Sequence, residues 1–294
     1  MQTLRNRIAI VTGASRGAGR GIAAELGAAG ATVYVTGRST RDAPATAYAA
    51  FLERAGLAAM PGTIDETADE VTAAGGRGIP VRCDHTDPGQ VRDLIARVER
   101  EQGRLDLLVN NAWGGHETFT VASLNAPFWE QPLDHWQSMF EHGVRNHVIA
   151  CQAAAPLLVR QGGGLVVTTT FWDRGRYIKG NLFYDLAKAT MSRLAFAVAE
   201  ELRPHGVTSV AVSPGWMRTE LILAGYKTDE DRWRDVPALA RTESPRYLGR
   251  AVVALAADPA VHSRSGGVYL VGHLALEYGF TDVDGRVIPP FEME

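Results

Sequence analysis

Short apolar runs alternate along this chain with segments of helical periodicity. Residues 8–11 (Ile-Ala-Ile-Val), 32–35 (Thr-Val-Tyr-Val), 79–81 and 105–109 are apolar stretches of strand length. Residues 164–168, 207–212 and 268–271 repeat the pattern, giving seven in all. Runs without a polar alternate face predict strands buried on both sides, as in a parallel sheet. Ile22, Ala23 and Leu26 recur at helical spacing after the first run, and residues 90–102, 150–160 and 184–203 read as further helices. Alternating strands and helices predict an α/β fold of three layers. About seven parallel strands are joined by right-handed crossovers, with helices on both faces. No internal repeat, low-complexity tract or clear linker interrupts the pattern, so residues 1–294 are read as one domain.

Composition narrows the class. With 30 Lys+Arg against 33 Asp+Glu the net charge is −3, which offers no basic field to nucleic acid or to an anionic membrane. No apolar run reaches the ~18 residues of a membrane span. The amino terminus enters the first strand without the apolar core and cleavage site of a signal peptide. Cys83 and Cys151 are the only cysteines. They support neither a disulfide framework nor a zinc site of their own, and a reduced, cytoplasmic setting is expected. The eight histidines form no His-x3-His pair with an acidic partner, so no metal is expected. His116, His135 and His142 are read as surface or structural residues.

The chemistry begins after the first strand, at Thr12-Gly13-Ala14-Ser15-Arg16-Gly17-Ala18-Gly19. Such glycines could serve a tight turn alone. Between a strand and a helix they also let a diphosphate approach the backbone and the positive end of the next helix. Dinucleotides bind at that edge of a parallel sheet, which makes the fold Rossmann-type. After the second strand stands Thr36-Gly37-Arg38, where an NAD site would place an acid for the ribose 2′-hydroxyl. Arg38 and Arg16 are instead suited to fork onto a 2′-phosphate, so NADP(H) is expected in preference to NAD(H). Tyr184 and Lys188 are four residues apart and share one helix face. An ammonium beside a phenol favours the phenolate and fits the pair for proton transfer near neutrality.

With these motifs in this order the chain resembles the short-chain dehydrogenase/reductase family, over nearly its whole length. The resemblance also rests on Cys83-Asp84-His85-Thr86-Asp87, on Asn110-Asn111-Ala112 and on Ser213-Pro214-Gly215 with Thr219. Finer features resemble one branch, the dehydrogenase/reductase member 1 type. They include Asn-Asn-Ala-Trp-Gly-Gly at 110–115, Ala-Pro-Phe-Trp-Glu at 126–130, Pro-His-Gly-Val at 204–207 and Asp-Val-Asp-Gly-Arg at 282–286. The resemblance implies roles. Gly13, Ser15, Arg16, Gly17, Ala18 and Gly19 would hold the diphosphate side, Asp84 the adenine, and Asn110 and Ala112 the adenosine ribose side. Pro214, Gly215 and Thr219 would hold the nicotinamide. Tyr184 would be the general acid in carbonyl reduction or the base in alcohol oxidation. Lys188 would hold the ribose and lower the Tyr184 pKa. A homodimer or homotetramer through the helices at 150–160 and 184–203 is implied too.

Three departures from the family pattern stand out. The usual serine before the tyrosine is missing, and Thr170, 14 residues before Tyr184, is the first substitute, with Thr169 second. The position of the family's relay asparagine falls at Gly143, with Asn146 one turn later. Trp113 replaces the glycine after Asn-Asn-Ala. Trp113, Trp172 and Trp216 are expected to border an apolar or aromatic substrate pocket, with core packing as the other reading. Residues 217–242 would form a substrate lid. Residues 47–62 form an insertion. The long loop at 113–135 lies near the substrate, and an extension at 273–294 would cover the substrate mouth or a neighbouring subunit. The resulting expectation is an NADP(H)-dependent oxidoreductase that interconverts a carbonyl and an alcohol. Thr170 would orient the substrate oxygen. The competing expectation is a dinucleotide-binding sensor or scaffold without turnover.

Overall fold

A computed structural model describes residues 3–43, 46–58, 60–117, 126–172, 175–178 and 180–292, apart from the side chains of residues 46–48. Its sheet has seven parallel strands: β1 (Ile8–Thr12), β2 (Thr32–Gly37), β3 (Arg77–Arg82), β4 (Leu107–Asn110), β5 (Gly164–Thr169), β6 (Val207–Ser213) and β7 (Val268–Leu270). Their spatial order is β3-β2-β1-β4-β5-β6-β7. All seven apolar runs of the sequence are strands, and the crossovers are helical. The helices are α1 (Gly17–Ala28), α2 (Thr46–Arg54), α3 (Ile64–Ala73), α4 (Pro88–Gln102), α5 (Asp134–Met139), α6 (Arg145–Gln161), α7 (Leu182–Leu202), α8 (Glu220–Gly225), α9 (Pro245–Ala257) and α10 (Val271–Tyr278).

Period-2 side-chain alternation divides the core into two layers. β1 sends Ala9 and Val11 to one face, where α1, α3, α9 and α10 pack with Leu26, Val71, Leu248 and Leu274. It sends Ile8 and Ile10 to the other, against Leu94 and Val98 of α4 and Leu157 and Leu158 of α6. Local chemistry sets the helix ends. Thr63 and Glu66 form a capping box that starts α3. Asp87 caps α4, with Pro88 in its first turn and Gly103 ending it in the left-handed conformation.

α1 and α9 cross where both lack side chains. A Cβ on Gly249 would lie 2.6 Å from the Gly21 carbonyl oxygen, and one on Gly21 would lie 2.4 Å from the Pro245 carbonyl. Overpacking of this kind costs about 1–3 kcal/mol. Gly249→Ala is therefore expected to lower the unfolding free energy by that amount, read as a fall in the denaturant midpoint at unchanged slope, without altering helix α7.

Two segments differ from their sequence expectations. The seventh strand ends at Leu270, and the chain turns directly into α10 at Val271. Leu274, Ala275 and Ile288 join the main core, so the extension at 273–294 is part of the packed domain and not only a cover. The insertion at 47–62 contains most of α2. The middle of the loop at 113–135, residues 118–125, lies outside the described residues. None of the described helices is long and apolar enough to cross a membrane.

Candidate active site

The sheet order reverses between β1 and β4, so the loops after these strands diverge and open a cleft at their carboxyl ends. Thr12 stitches the two strands together. Its hydroxyl donates to the Val109 carbonyl at 3.1 Å and accepts the backbone N–H groups of Asn111 and Ala112 at 2.8 and 3.0 Å. The Asn111 amide reaches back to the carbonyls of Thr12 and Gly13 at 2.9 and 3.2 Å. The loops meet so closely that Gly13, at φ +66°, would place a Cβ 2.6 Å from the Ala112 Cα. Gly13, Ser15, Arg16 and Ala18 line the cleft from one side; Arg38, Asp84 and Ala112 line it from the others. The cleft encloses about 230 Å³.

The N-terminus of α1 already holds an anionic oxygen, since the Gly17 N–H donates to the Glu220 carboxylate at 2.9 Å. This fits a phosphate site, where free N–H groups and the helix dipole favour negative charge. Asn146 Oδ1 and His142 Nδ1 belong to residues of the cleft wall, and each is a buried polar atom with no partner among the described residues. Thr219 caps α8 and packs against Gly17, bringing the base of the 217–242 segment to the glycine loop. Arg218 pins this segment from below. It is 1% exposed, pairs with Asp282 and Glu230, and lies 4.3 Å from the Trp233 ring centroid.

The two arginines expected at a 2′-phosphate both stand at the cleft, each with protein partners. Arg16 donates to the Gly62 carbonyl at 2.7 Å and more weakly to that of Pro61, so the end of the 47–62 insertion holds it. Arg38 pairs with Glu117, a buried acid from the loop after β4. Arg54 also donates to the Glu117 carbonyl. The sequence seemed to lack an acid here because Glu117 lies far from Arg38 along the chain. Asp84 accepts from the backbone and the hydroxyl of Thr86, at 2.9 and 2.7 Å. These bonds and the nearby Arg38 outweigh burial and hold its pKa below the usual value.

At the far end, α7 brings Tyr184 and Lys188 to one face. The Lys188 ammonium is 5.4 Å from the Tyr184 ring centroid and 3.9 Å from that of Trp113. Burial dominates both groups. It raises the Tyr184 phenol above its ordinary value and lowers Lys188 to about 7. Sequence reasoning anticipated the opposite direction for the tyrosine, because it weighed the ammonium and not the loss of water. His116 stacks on Tyr184 with centroids 5.7 Å apart, so it belongs to this cluster and not to the surface.

Comparison with known proteins agrees with this architecture. A family model described as enoyl-(acyl carrier protein) reductase matches residues 45–264, well over half of the chain. Dehydrogenase/reductase SDR family member 1 of Mus musculus is 38% identical over 98% of this chain and 87% of its own length. The chain belongs to the short-chain dehydrogenase/reductase family. A short-chain dehydrogenase of Mycobacterium thermoresistibile superposes with TM-score 0.77 at 26% identity, covering 99% of this chain and 94% of its own. A 7α-hydroxysteroid dehydrogenase, complexed with NADH and 7-oxo glycochenodeoxycholic acid, superposes with TM-score 0.69 at 25% identity, covering 92% and 94%.

Against the family pattern, this short-chain dehydrogenase/reductase places several residues elsewhere than their motifs suggested. Asn110 is turned away from the cleft. It is fully buried, and its amide lies 3.1 Å from Cys151 Sγ and 3.5 Å from the His147 carbonyl on α6. Residues on a strand alternate faces, and its neighbour Asn111 receives the loop-facing role. Thr170 does not point its hydroxyl at Tyr184. It donates to the Lys188 carbonyl at 2.7 Å and meets Ser192 at 3.1 Å, tying β5 to α7. Thr169 is bonded to the Asn110 carbonyl at 3.3 Å. The three tryptophans do not share one pocket. Trp113 packs beside Lys188, and Trp172 lines a cleft with Phe171, Tyr177 and Asp185. Trp216 lies by Tyr226 and by the carboxyl-terminal Pro290 and Phe291, next to Gly215 of the Pro214-Gly215 turn.

Proposed function

We propose that this chain is an NADP(H)-dependent reductase that interconverts a carbonyl and an alcohol. The observation that carries the reading is Tyr184 and Lys188 together on α7, near the sheet edge where the glycine loop opens. Gly13, Ser15, Gly17, Ala18 and Gly19 would hold the diphosphate, Asp84 and Ala112 the adenosine, and Pro214, Gly215 and Thr219 the nicotinamide end. The bound dinucleotide supplies the hydride chemistry. Tyr184 gives or takes the proton at the substrate oxygen. Lys188 binds the ribose hydroxyls and stabilises the phenolate. Thr170 remains the proposed orienting residue if α7 releases its hydroxyl. A small apolar or aromatic substrate suits the cleft of Phe171, Trp172 and Tyr177, which begins one residue from Tyr184 at Asp185. A dimer or tetramer through α6 and α7 is consistent with the half-exposed Leu186 and Phe196 on α7.

The test is oxidation of NADPH and NADH with a panel of ketones, aldehydes and quinones. A second reading, dinucleotide binding without turnover, is favoured by the engaged Thr170 hydroxyl. It would be adopted if no substrate raised turnover above that of Tyr184→Phe.

Cofactor choice turns on Arg38 and Glu117. A 2′-phosphate must compete with Glu117 for the guanidinium, and it brings up to about twice the negative charge of a carboxylate to the same forked contact. Arg38→Ala is expected to raise the NADPH Kd at least tenfold and leave that for NADH nearly unchanged. Glu117→Gln is expected to shift preference further toward NADPH. Equal effects on both cofactors would reject the assignment.

Glu220 opposes a diphosphate at the same N–H group. Its replacement by glutamine removes a like charge and is expected to tighten binding of either dinucleotide several-fold, most at low ionic strength. Isothermal titration at two salt concentrations checks this.

A further inference from the structure

We propose that Trp113 is a positioning residue for proton transfer: its indole face carries the Lys188 ammonium, and two glycines make room for it there. The inference rests on reading Tyr184 and Lys188 as the proton-transfer pair. Lys188 Nζ lies 3.9 Å from the indole centroid, closer than to the Tyr184 ring, and 3.8 Å from the Met191 sulfur. Indole is the strongest aromatic face for a cation, and the attraction grows when water is excluded. The same ring stands edge-on to Tyr184, with centroids 5.7 Å apart at 87°. One side chain therefore touches both members of the pair.

The ring's rotation is fixed from three directions. Its Nε1–H donates to His116 Nδ1 at 3.0 Å, which defines a neutral His116 carrying its proton on Nε2. A Cβ on Gly143 would stand 2.6 Å from the ring atom Cζ3, and one on Gly115 would stand 2.4 Å from Cζ2. Any side chain at either position would push the indole off Lys188. Gly143 lies in a π-helical turn, Phe140–Val144, just before α6. Such turns occur often at functional sites.

The chemical consequence concerns which form of Lys188 is present near neutral pH. Among the described residues, the titratable groups facing it are Tyr184 on its own helix, His116 after β4 and His147 on α6. Both histidines are kept neutral by burial. Burial draws Lys188 down to about 7, and no carboxylate among the described residues contributes to that shift. The indole face is the nearer of the two aromatic faces over Lys188 and, with the Met191 sulfur, favours the charged form, the form that stabilises a phenolate.

The experiment titrates Lys188 in the full-length protein by competitive acetylation, read by mass spectrometry of its peptide. Wild type is compared with Trp113→Leu, Trp113→Phe and Gly143→Ala. Loss of the face in Trp113→Leu is expected to lower the half-labelling pH by about one unit, a tenfold change in ionisation. Trp113→Phe, which keeps a weaker face, is expected to fall between the two. Gly143→Ala retains the indole but displaces it, and is expected to shift in the same direction as Trp113→Leu. A Trp113→Leu titration that superimposes on wild type would overturn the proposal. The labelling needs no turnover, so it stays decisive if the enzyme reading fails. That reading fails separately if wild type oxidises NADPH no faster than Tyr184→Phe. Where turnover is present, the alkaline limb of kcat/KM is expected to move down in pH with the titration. A purely packing role would lower the rate and leave the limb in place.

Discussion

Tyr184→Phe is expected to lower kcat by about 10²–10⁴-fold, the range supplied by a positioned general acid or base. The ring, its edge contact with Trp113 and its stack with His116 survive the substitution. The fold and the dinucleotide Kd are therefore expected to change little. Only the phenolic proton is lost, and phenylalanine offers no other donor at that point on α7. Steady-state NADPH oxidation, with Kd measured separately by titration, checks both halves. A variant that kept more than a tenth of wild-type kcat would remove Tyr184 from the chemistry and point to another proton donor. The alkaline limb of kcat/KM should follow Lys188. Its charged form is lost as pH rises through about 7 in the free enzyme, so kcat/KM falls above that value. Phosphate and ribose contacts made by a bound dinucleotide would alter the midpoint but not the sign.

Gly13→Ala is expected to have the second large effect, on cofactor binding and on stability together. Gly13 has φ +66°, and an alanine held there is strained by about 1–3 kcal/mol. Its Cβ would also stand 2.6 Å from the Ala112 Cα, a backbone atom that cannot swing aside. The overlap costs about 1–3 kcal/mol more and pushes the loop after β4 outward. That loop carries Trp113, Gly115 and His116, so the damage reaches Lys188 from the opposite end of the site. A displacement of about 1 Å can cost on the order of 10²-fold in rate. Thermal unfolding, cofactor titration and kcat should all fall. Gly103→Ala, also at positive φ but with nothing within 4 Å, provides the control. It should lose stability by strain alone and keep its cofactor affinity.

Local rules account for the parts of the site that were legible. The strand at 8–12, its glycine turn and the helix at 17–28 follow from apolar runs, φ > 0 and a helix N-terminus. Tyr184 and Lys188 share a face because a helix has 3.6 residues per turn. The direction of the Asn110 side chain was not legible, since its motif does not record which of two neighbours faces the loop. Packing against α6 turns the Asn110 amide toward Cys151 and leaves the Asn111 amide bonded to Thr12 and Gly13. The Thr170 hydroxyl was assigned by distance along the chain, but α7 offers it the Lys188 carbonyl at 2.7 Å. Hydrogen bonds between distant segments leave no periodic mark.

The sequence by itself determined the α/β class, the seven strands, the place of the glycine loop and the pairing of Tyr184 with Lys188. Each depends on residues within a few positions of one another, where periodicity and backbone sterics suffice. The tertiary structure alone decided that Glu117 meets Arg38, that the Glu220 carboxylate sits at the N-terminus of α1, and that Trp113 lies against Gly143 with its ring face beside Lys188. These contacts join loops after different strands of the sheet. They arise only once strand order and burial bring charges and rings from remote segments within a few ångströms.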